Sequence, residues 1–255
     1  MYPEGDPELE PASIAAAAGS PTDTERIGRS MSPKTGLLEV IALTAADAER
    51  AQDGGADRLE LVSDMASDGL TPSVETLRDV LAATDLPVRV MLRDNMSFAA
   101  GDLDGLRVDA VRLIDAGARE FVLGFLDLES EIDVDACETL VKELDGLPWT
   151  FHRAIDRARD PLRAYDQLTA LGCDTVLAAG HPHGVAHGLS VLQQLARRSD
   201  GPRLLVGGGL RAQQVHLLRA GGVGAFHVGS AVRPGGWESD VDVAAVREWA
   251  ALVKE

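Results

Sequence analysis

From Leu37 onward the chain switches repeatedly between two patterns of apolar and polar residues. Short apolar runs, typical of buried strands, are each followed by a longer stretch with apolar residues at helical spacing. The predicted strands cover 37–42, 58–61, 88–92, 121–124, 147–151, 175–178, 203–206 and 226–228. The predicted helices cover 45–52, 74–83, 103–116, 134–144, 161–171, 185–198, 212–220 and 241–254.

Strand and helix units that alternate in this way predict an α/β fold, a single-domain (β/α)8 TIM barrel over residues 36–255. A repeat at every second unit supports the barrel, because a helix ends in glycine and a strand follows within a few residues. The glycines that end these helices are Gly55, Gly117, Gly172 and Gly222. Residues 1–35 are rich in Pro, Ala, Glu, Ser and Gly without a sustained apolar period, which predicts a disordered leader.

Composition narrows the classes of function. A formal charge of -17 disfavours nucleic acid and anionic membranes as partners, because both need a basic surface. Cys137 and Cys173 are the two thiols and form no CxxC motif, and no apolar run is long enough to span a bilayer. We therefore expect a cytoplasmic protein. None of the three lysines follows a predicted strand, which argues against Schiff-base chemistry.

Charged side chains fall at the carboxyl ends of predicted strands, where barrels bind ligands. Strand alternation also turns charged residues toward the barrel axis, a region normally filled by branched apolar side chains. The acid–base candidates are Glu39, Glu60, His152 and Asp156, with Arg93 as the charge stabiliser and His227 nearby. The alternative is a structural layer of ion pairs formed by Glu39, Glu60 and Arg89.

Glycines follow the last two predicted strands. Gly207, Gly208 and Gly209 end the seventh strand, and Gly229 and Ser230 end the eighth. Backbone N–H groups at these two positions bind phosphate in many barrels, so the pattern predicts an anion site. The alternative is that the glycines only permit tight turns.

Three histidines follow the sixth predicted strand, at His181, His183 and His187. Imidazole nitrogens at this spacing could hold Cu(II), Zn(II) or Ni(II). No acidic or cysteine partner stands at a fixed spacing, so a solvated polar loop is the alternative.

Several motifs, taken in chain order, resemble the CutC family of copper homeostasis proteins. They are ADRLEL at 56–61, GLTPS at 69–73, Arg93 after an apolar strand, TFHRAID at 150–156 and VGGG at 206–209. The resemblance covers residues 37 to about 233. It implies a cytoplasmic (β/α)8 barrel, often a homo-oligomer, with a role in copper handling.

The sequence departs from the family pattern at the positions that matter for copper. Family members often carry cysteine in the first strand and just after the ADRxEL motif, where this chain has Ile41, Ala42 and Val62. Cu(I) prefers sulfur ligands. The sulfur atoms expected nearest the mouth of the predicted barrel are the thioethers of Met65, Met91 and Met96. Two functions stay open: a copper-binding or copper-tolerance protein, and a lyase or isomerase acting on a small anionic or phosphorylated molecule.

Overall fold

The computed structural model describes residues 36–198 and 200–255, and eight parallel strands in it form a closed barrel. Each strand pairs with the next in chain order, and the eighth pairs with the first. The strands are β1 Leu37–Ala42, β2 Arg58–Leu61, β3 Val88–Met91, β4 Glu120–Leu123, β5 Trp149–Phe151, β6 Thr175–Ala178, β7 Arg203–Val206 and β8 Ala225–Val228. The predicted TIM barrel is confirmed.

A helix follows each strand. The helices are α1 Ala45–Gly54, α2 Val74–Ala83, α3 Leu103–Asp115, α4 Val134–Glu143, α5 Pro161–Ala170, α6 Val185–Ala196, α7 Ala212–Ala220 and α8 Val243–Lys254. Every predicted strand and helix is present, with ends within two residues of those expected. The predicted leader at 1–35 lies outside the described residues.

Two of the element ends that differ have clear causes. Helix α8 begins at Val243 rather than Val241, because the Asp242 side chain caps it by accepting from the Ala245 N–H at 2.7 Å. Strand β5 begins at Trp149 rather than Leu147, because Pro148 has no N–H to donate to a neighbouring strand. Neither difference moves a candidate site residue.

Strand alternation separates two kinds of buried side chain. The outward-facing residues of β1, β2 and β3 pack against the helices, as predicted. They are Leu38, Val40, Leu59, Leu61, Val88 and Val90.

The inward-facing residues form levels along the barrel axis. Strand register places Leu37 beside Ala225, then Glu39 beside Arg58 and His227, then Ile41 beside Glu60. Apolar clusters around Leu205 and around Met91 lie at the two ends of the barrel. A charged layer therefore crosses the barrel interior between two apolar ones.

None of the helices in the described residues is both long and apolar enough to cross a membrane.

Candidate functional site

A cavity of about 320 Å³ opens at the carboxyl ends of the strands, and we call this end the barrel mouth. Its charged, polar and glycine lining residues are Glu60, Asp68, Arg93, His152, Arg153, Asp156, Arg157, His227, Gly208, Gly209, Gly229 and Ser230. Most of the residues predicted from sequence are thus brought together in one cavity. Glu39 and Gly207 lie behind the lining, and the three loop histidines lie outside it.

Arg93 is a buried cation at the end of β3 that has no carboxylate partner among the described residues. Its Nη1 donates to the Asp68 carbonyl at 3.1 Å and its Nη2 to the Met96 carbonyl at 2.7 Å. In the same described part of the chain, its Nε has no hydrogen-bond partner. Burial lowers the pKa of Arg93, although Asp68 and Asp94 act in the opposite direction. Because a buried charge without a counter-ion is costly, this side chain is suited to an anionic ligand.

His152 is a buried, neutral hydrogen-bond donor. Its Nδ1 accepts from the Ala154 N–H at 3.2 Å, which places the ring proton on Nε2. Nε2 is buried and has no hydrogen-bond partner among residues 36–198 and 200–255. Burial, with the nearby charges of Arg93 and Arg153, lowers the pKa of His152 to about 3. The ring therefore stays neutral at physiological pH and offers an unused N–H group.

Glu39 is held as a carboxylate beneath the cavity. Its Oε2 accepts from Arg58 Nε at 2.5 Å, and its Oε1 lies 2.8 Å from His227 Nδ1. Burial alone would raise the pKa of Glu39, but Arg58 and His227 outweigh it and hold the pKa at about 2. Burial likewise acts to lower the pKa of His227, and the carboxyl groups of Glu60 and Glu39 raise it overall.

Glu60 is the carboxyl group in the cavity that titrates near neutral pH. Burial raises its pKa to about 7, with only partial compensation from His227 and Arg58. A carboxyl group with this pKa can accept and release a proton at physiological pH. One donor atom from each of Glu39, Glu60 and His227 also lies within 4.8 Å of the other two, which is compatible with a metal ion.

Asp156 positions other groups around the cavity. Its Oδ1 accepts from the N–H groups of Ala179 at 2.9 Å and Gly180 at 2.8 Å, and its Oδ2 accepts from Arg153 Nε at 2.8 Å. Burial raises the pKa of Asp156, while Arg153 acts to lower it. Since all these donors fix its orientation, Asp156 ties the end of β6 to Arg153.

Arg153 lies directly against Gly208. A Cβ atom at Gly208 would stand 2.6 Å from the guanidinium carbon of Arg153, so only glycine fits there without displacing the arginine. Sequence analysis gave Arg153 no role, although it stands inside the TFHRAID stretch. The short 3-10 helix Arg153–Arg157 sets its direction, and strand alternation cannot predict that direction.

The glycine turns after β7 and β8 contain backbone N–H groups that are available as donors. The N–H groups of Gly208, Gly209, Gly229 and Ser230 donate to no acceptor among the described residues. The N–H of Gly207 instead donates to the Ala178 carbonyl at 3.2 Å. Four of the five predicted residues therefore present unused donors, and anion binding there stays a prediction.

The loop histidines lie close to one another, outside the cavity. The ring centroids of His181 and His183 are 5.2 Å apart, those of His181 and His187 5.5 Å, and those of His183 and His187 6.0 Å. Metal binding there also stays a prediction.

The charged layer differs from the predicted one in its pairing. Arg89 pairs with Glu120 at 2.9 Å and Asp174 at 2.6 Å, while Glu39 pairs with Arg58. Sequence analysis missed Arg58, although alternation from Glu60 would have turned it inward.

Sulfur ligands are scarce at the mouth. The thiols of Cys137 and Cys173 are buried away from the cavity lining, and burial raises the pKa of each to about 12. Met65 and Met91 line the cavity, whereas Met96 is 66% exposed. The residues present therefore do not fit a thiolate site for Cu(I).

The closed barrel defines this protein as a TIM barrel, and its polar cavity lies at the carboxyl ends of the strands, where TIM-barrel enzymes have their active sites. A sequence model of the CutC family matches residues 36–232. The chain belongs to the CutC family.

Individual relatives agree with this assignment. A CutC family protein from Xanthomonas campestris pv. campestris (strain B100) is 37% identical over 196 residues, which cover 74% of this chain and 81% of that protein. One from Enterobacter sp. (strain 638) is 32% identical over 194 residues, covering 75% and 78%. A crystal structure from Streptococcus agalactiae, described as a candidate copper homeostasis protein CutC, superposes with a TM-score of 0.71 at 28% identity, covering 76% of this chain and 98% of that one.

Proposed function

We propose that this CutC family chain is a cytoplasmic protein whose barrel mouth binds a small anionic molecule and transfers a proton on it. Its part in copper homeostasis, which the family name implies, would act through that ligand and not through copper held on thiolates. One observation carries the proposal: two buried donors without partners and a carboxyl group of near-neutral pKa share one cavity.

The unused donors favour an anion. Within the part of the chain that the structure describes, Arg93 Nε and His152 Nε2 are buried and have no hydrogen-bond partner, and the oxygen atoms of a carboxylate or phosphate group would accept from them. The overall charge of the chain is strongly negative, so long-range attraction does not bring the anion in. Recognition therefore depends on these local donors.

Glu60 is the group that would transfer the proton. With a pKa of about 7 it can remove a proton beside a carbonyl or carboxylate group and return it, which is the proton transfer of lyase and isomerase reactions. Arg93 and the neutral His152 would stabilise the negative charge that develops on the ligand oxygen. Glu39 is fixed by Arg58 and holds His227 beside Glu60. The charge of Glu39 also acts to raise the pKa of Glu60.

The glycine turns would extend the site to phosphorylated ligands. The free N–H groups of Gly208, Gly209 and Ser230 are suited to phosphate oxygens, and the nearby Arg153 guanidinium adds a positive charge.

An NMR titration tests this function. Millimolar inorganic phosphate and a panel of small carboxylates are added to 15N-labelled protein, and the signals of Arg93 Nε and of the Gly208, Gly209 and Ser230 amides are followed. We expect phosphate to shift the amides and at least one carboxylate to shift Arg93 Nε. Unmoved signals throughout would refute the proposal.

A second function, direct copper binding, is favoured by the convergence of donor atoms from Glu39, Glu60 and His227. Nitrogen and oxygen donors suit Cu(II) better than Cu(I). We expect the wild type to lose Cu(I) readily to a competing chelator, and His227→Gln to weaken Cu(II) binding at the cavity. Tight retention of Cu(I) would contradict the view that the chain lacks a thiolate site.

A further inference from the structure

We propose that His181 and His183, on the loop after β6, and His187, in the first turn of α6, form a divalent transition-metal site with Zn(II), Ni(II) or Cu(II) as the ion. These histidines are not part of the cavity lining, although Pro182 between two of them is, and the N–H of Val185 donates to the Gly208 carbonyl at 3.0 Å. The metal site is therefore a neighbour of the anion site of the proposed function and uses different residues.

Ring spacing supports the site. Three imidazoles bound to one tetrahedral Zn(II), with metal–nitrogen distances of about 2.0–2.1 Å, place their ring centroids about 5 Å apart. The observed separations of 5.2, 5.5 and 6.0 Å are close to this value. The side chains of His183 and His187 are exposed, and rotation of them is needed to turn the nitrogen atoms of the three rings toward one ion.

Hydrogen bonds of the backbone hold the segment from His181 to His187 in a turn. The N–H of Gly184 donates to the His181 carbonyl at 2.9 Å, closing a turn, and the N–H of His187 donates to the Gly184 carbonyl at 3.0 Å. The N–H of His183 donates to His181 Nδ1 at 3.1 Å, which places the ring proton on Nε2. Binding an ion through either nitrogen therefore requires the His181 ring to give up this hydrogen bond or to lose its Nε2 proton. The backbone turn therefore holds the three histidines close together in the chain, while their rings must still reorient to bind an ion.

Composition and charge also bear on the site. The chain has six histidines, and three of them fall between residues 181 and 187. The net charge of -17 raises the local concentration of cations, while the amino terminus of α6, next to the site, opposes a positive ion. Three neutral ligands leave at least one coordination position open to water or an anion.

Zn(II) titration by isothermal calorimetry, on the full chain first stripped with a chelator, tests the proposal. We expect wild type to bind one Zn(II) at the loop, and His187→Ala to weaken it about tenfold or more, since losing a ligand costs at least as much as losing an outer-shell contact. The triple change of His181, His183 and His187 to Ala should abolish this binding. His216→Ala, which removes a lone exposed histidine of α7, is the matched control and should bind as wild type does.

Thermal melting of each variant shows whether it is folded. Co(II) gives a second readout, because its visible absorption reports imidazole coordination in the wild type and should disappear in the triple variant. The proposal is overturned if the wild type binds no Zn(II), or if the folded triple variant binds it as the wild type does. It is also overturned if binding is lost in His227→Gln and kept in the triple variant, because the ion would then lie in the barrel.

Discussion

Glu60 Oε2 lies 3.7 Å from His227 Nε2, too far for a hydrogen bond and close enough for strong electrostatic coupling. Glu39 orients the imidazole from the other side through Nδ1 at 2.8 Å. The pKa of Glu60 is therefore set by burial and by the charges of its neighbours, while its oxygen atoms stay available to a ligand. This arrangement makes Glu60 suited to proton transfer.

Replacing Glu39 should disturb both stability and the pKa of His227. Glu39→Gln leaves the buried Arg58 without its counter-ion, and we expect a loss of about 3–5 kcal/mol in the free energy of unfolding. The pKa of His227 should fall, because a carboxylate that stabilised its protonated form is gone. Denaturant unfolding and NMR titration measure the two effects.

The exposed pair of Lys142 and Glu138 provides the matched control. Lys142→Ala should change the free energy of unfolding by less than about 0.5 kcal/mol, because exposed ion pairs contribute little. Equal changes in the free energy of unfolding for Glu39→Gln and Lys142→Ala would argue against a stabilising ion pair between Glu39 and Arg58.

Glu60 and His152 should give opposite pH dependences of stability. Between pH 4.5 and 7 folded Glu60 keeps a proton that the unfolded chain has lost, so its contribution to the free energy of unfolding falls as pH rises. Between pH 3 and 6.5 the unfolded chain binds a proton that folded His152 does not, so the contribution of His152 falls as pH falls.

Comparing variants with the wild type separates the two contributions. The stability of the wild type relative to Glu60→Gln should decrease with rising pH from 4.5 to 7. Relative to His152→Gln it should increase with rising pH from 3 to 6.5, with slopes of up to about 1.4 kcal/mol per pH unit. Denaturant unfolding at a series of pH values measures both, and a flat difference for either residue would show that its pKa is not shifted.

Gly208 and Gly209 offer a matched pair for the anion site. Both have positive φ, 92° and 69°, so alanine should cost each about 1 kcal/mol of stability through backbone strain. Only at Gly208 does the new Cβ displace the Arg153 guanidinium. Gly208→Ala should therefore weaken phosphate binding about tenfold, and Gly209→Ala should not, as measured by NMR titration. Equal effects would argue against a role for Arg153.

Most of the fold could be predicted from the sequence, because the strands and helices carry clear apolar periods and Ser, Thr or Asp caps several of the helices. The four glycines at the ends of alternate helices were also informative, because Gly55, Gly117, Gly172 and Gly222 all adopt positive φ. The inward orientation of the Glu60 side chain could also be predicted, because side chains along a strand alternate between the barrel interior and the helices.

The rest of the site could not be predicted because loops and pairings determine it. Phe98 and Trp237 reach the cavity from loops, whose course has no periodic signal. The choice of Arg58 over Arg89 as the partner of Glu39 depends on strand register around a closed barrel, which a single sequence does not give. The raised pKa of Glu60 likewise requires knowledge of its burial.

The most direct test of anion binding at the mouth is a thermal-shift screen of small carboxylates and phosphorylated metabolites against the wild type and Arg93→Met. The substitution keeps an apolar side chain of similar length and removes the unpaired guanidinium. A ligand at one hundred times its Kd should stabilise the wild type by about 2.7 kcal/mol. We predict at least one anion that raises the Tm of the wild type and leaves that of Arg93→Met unchanged. The account is contradicted if no anion raises the Tm, or if the same anions stabilise both proteins equally.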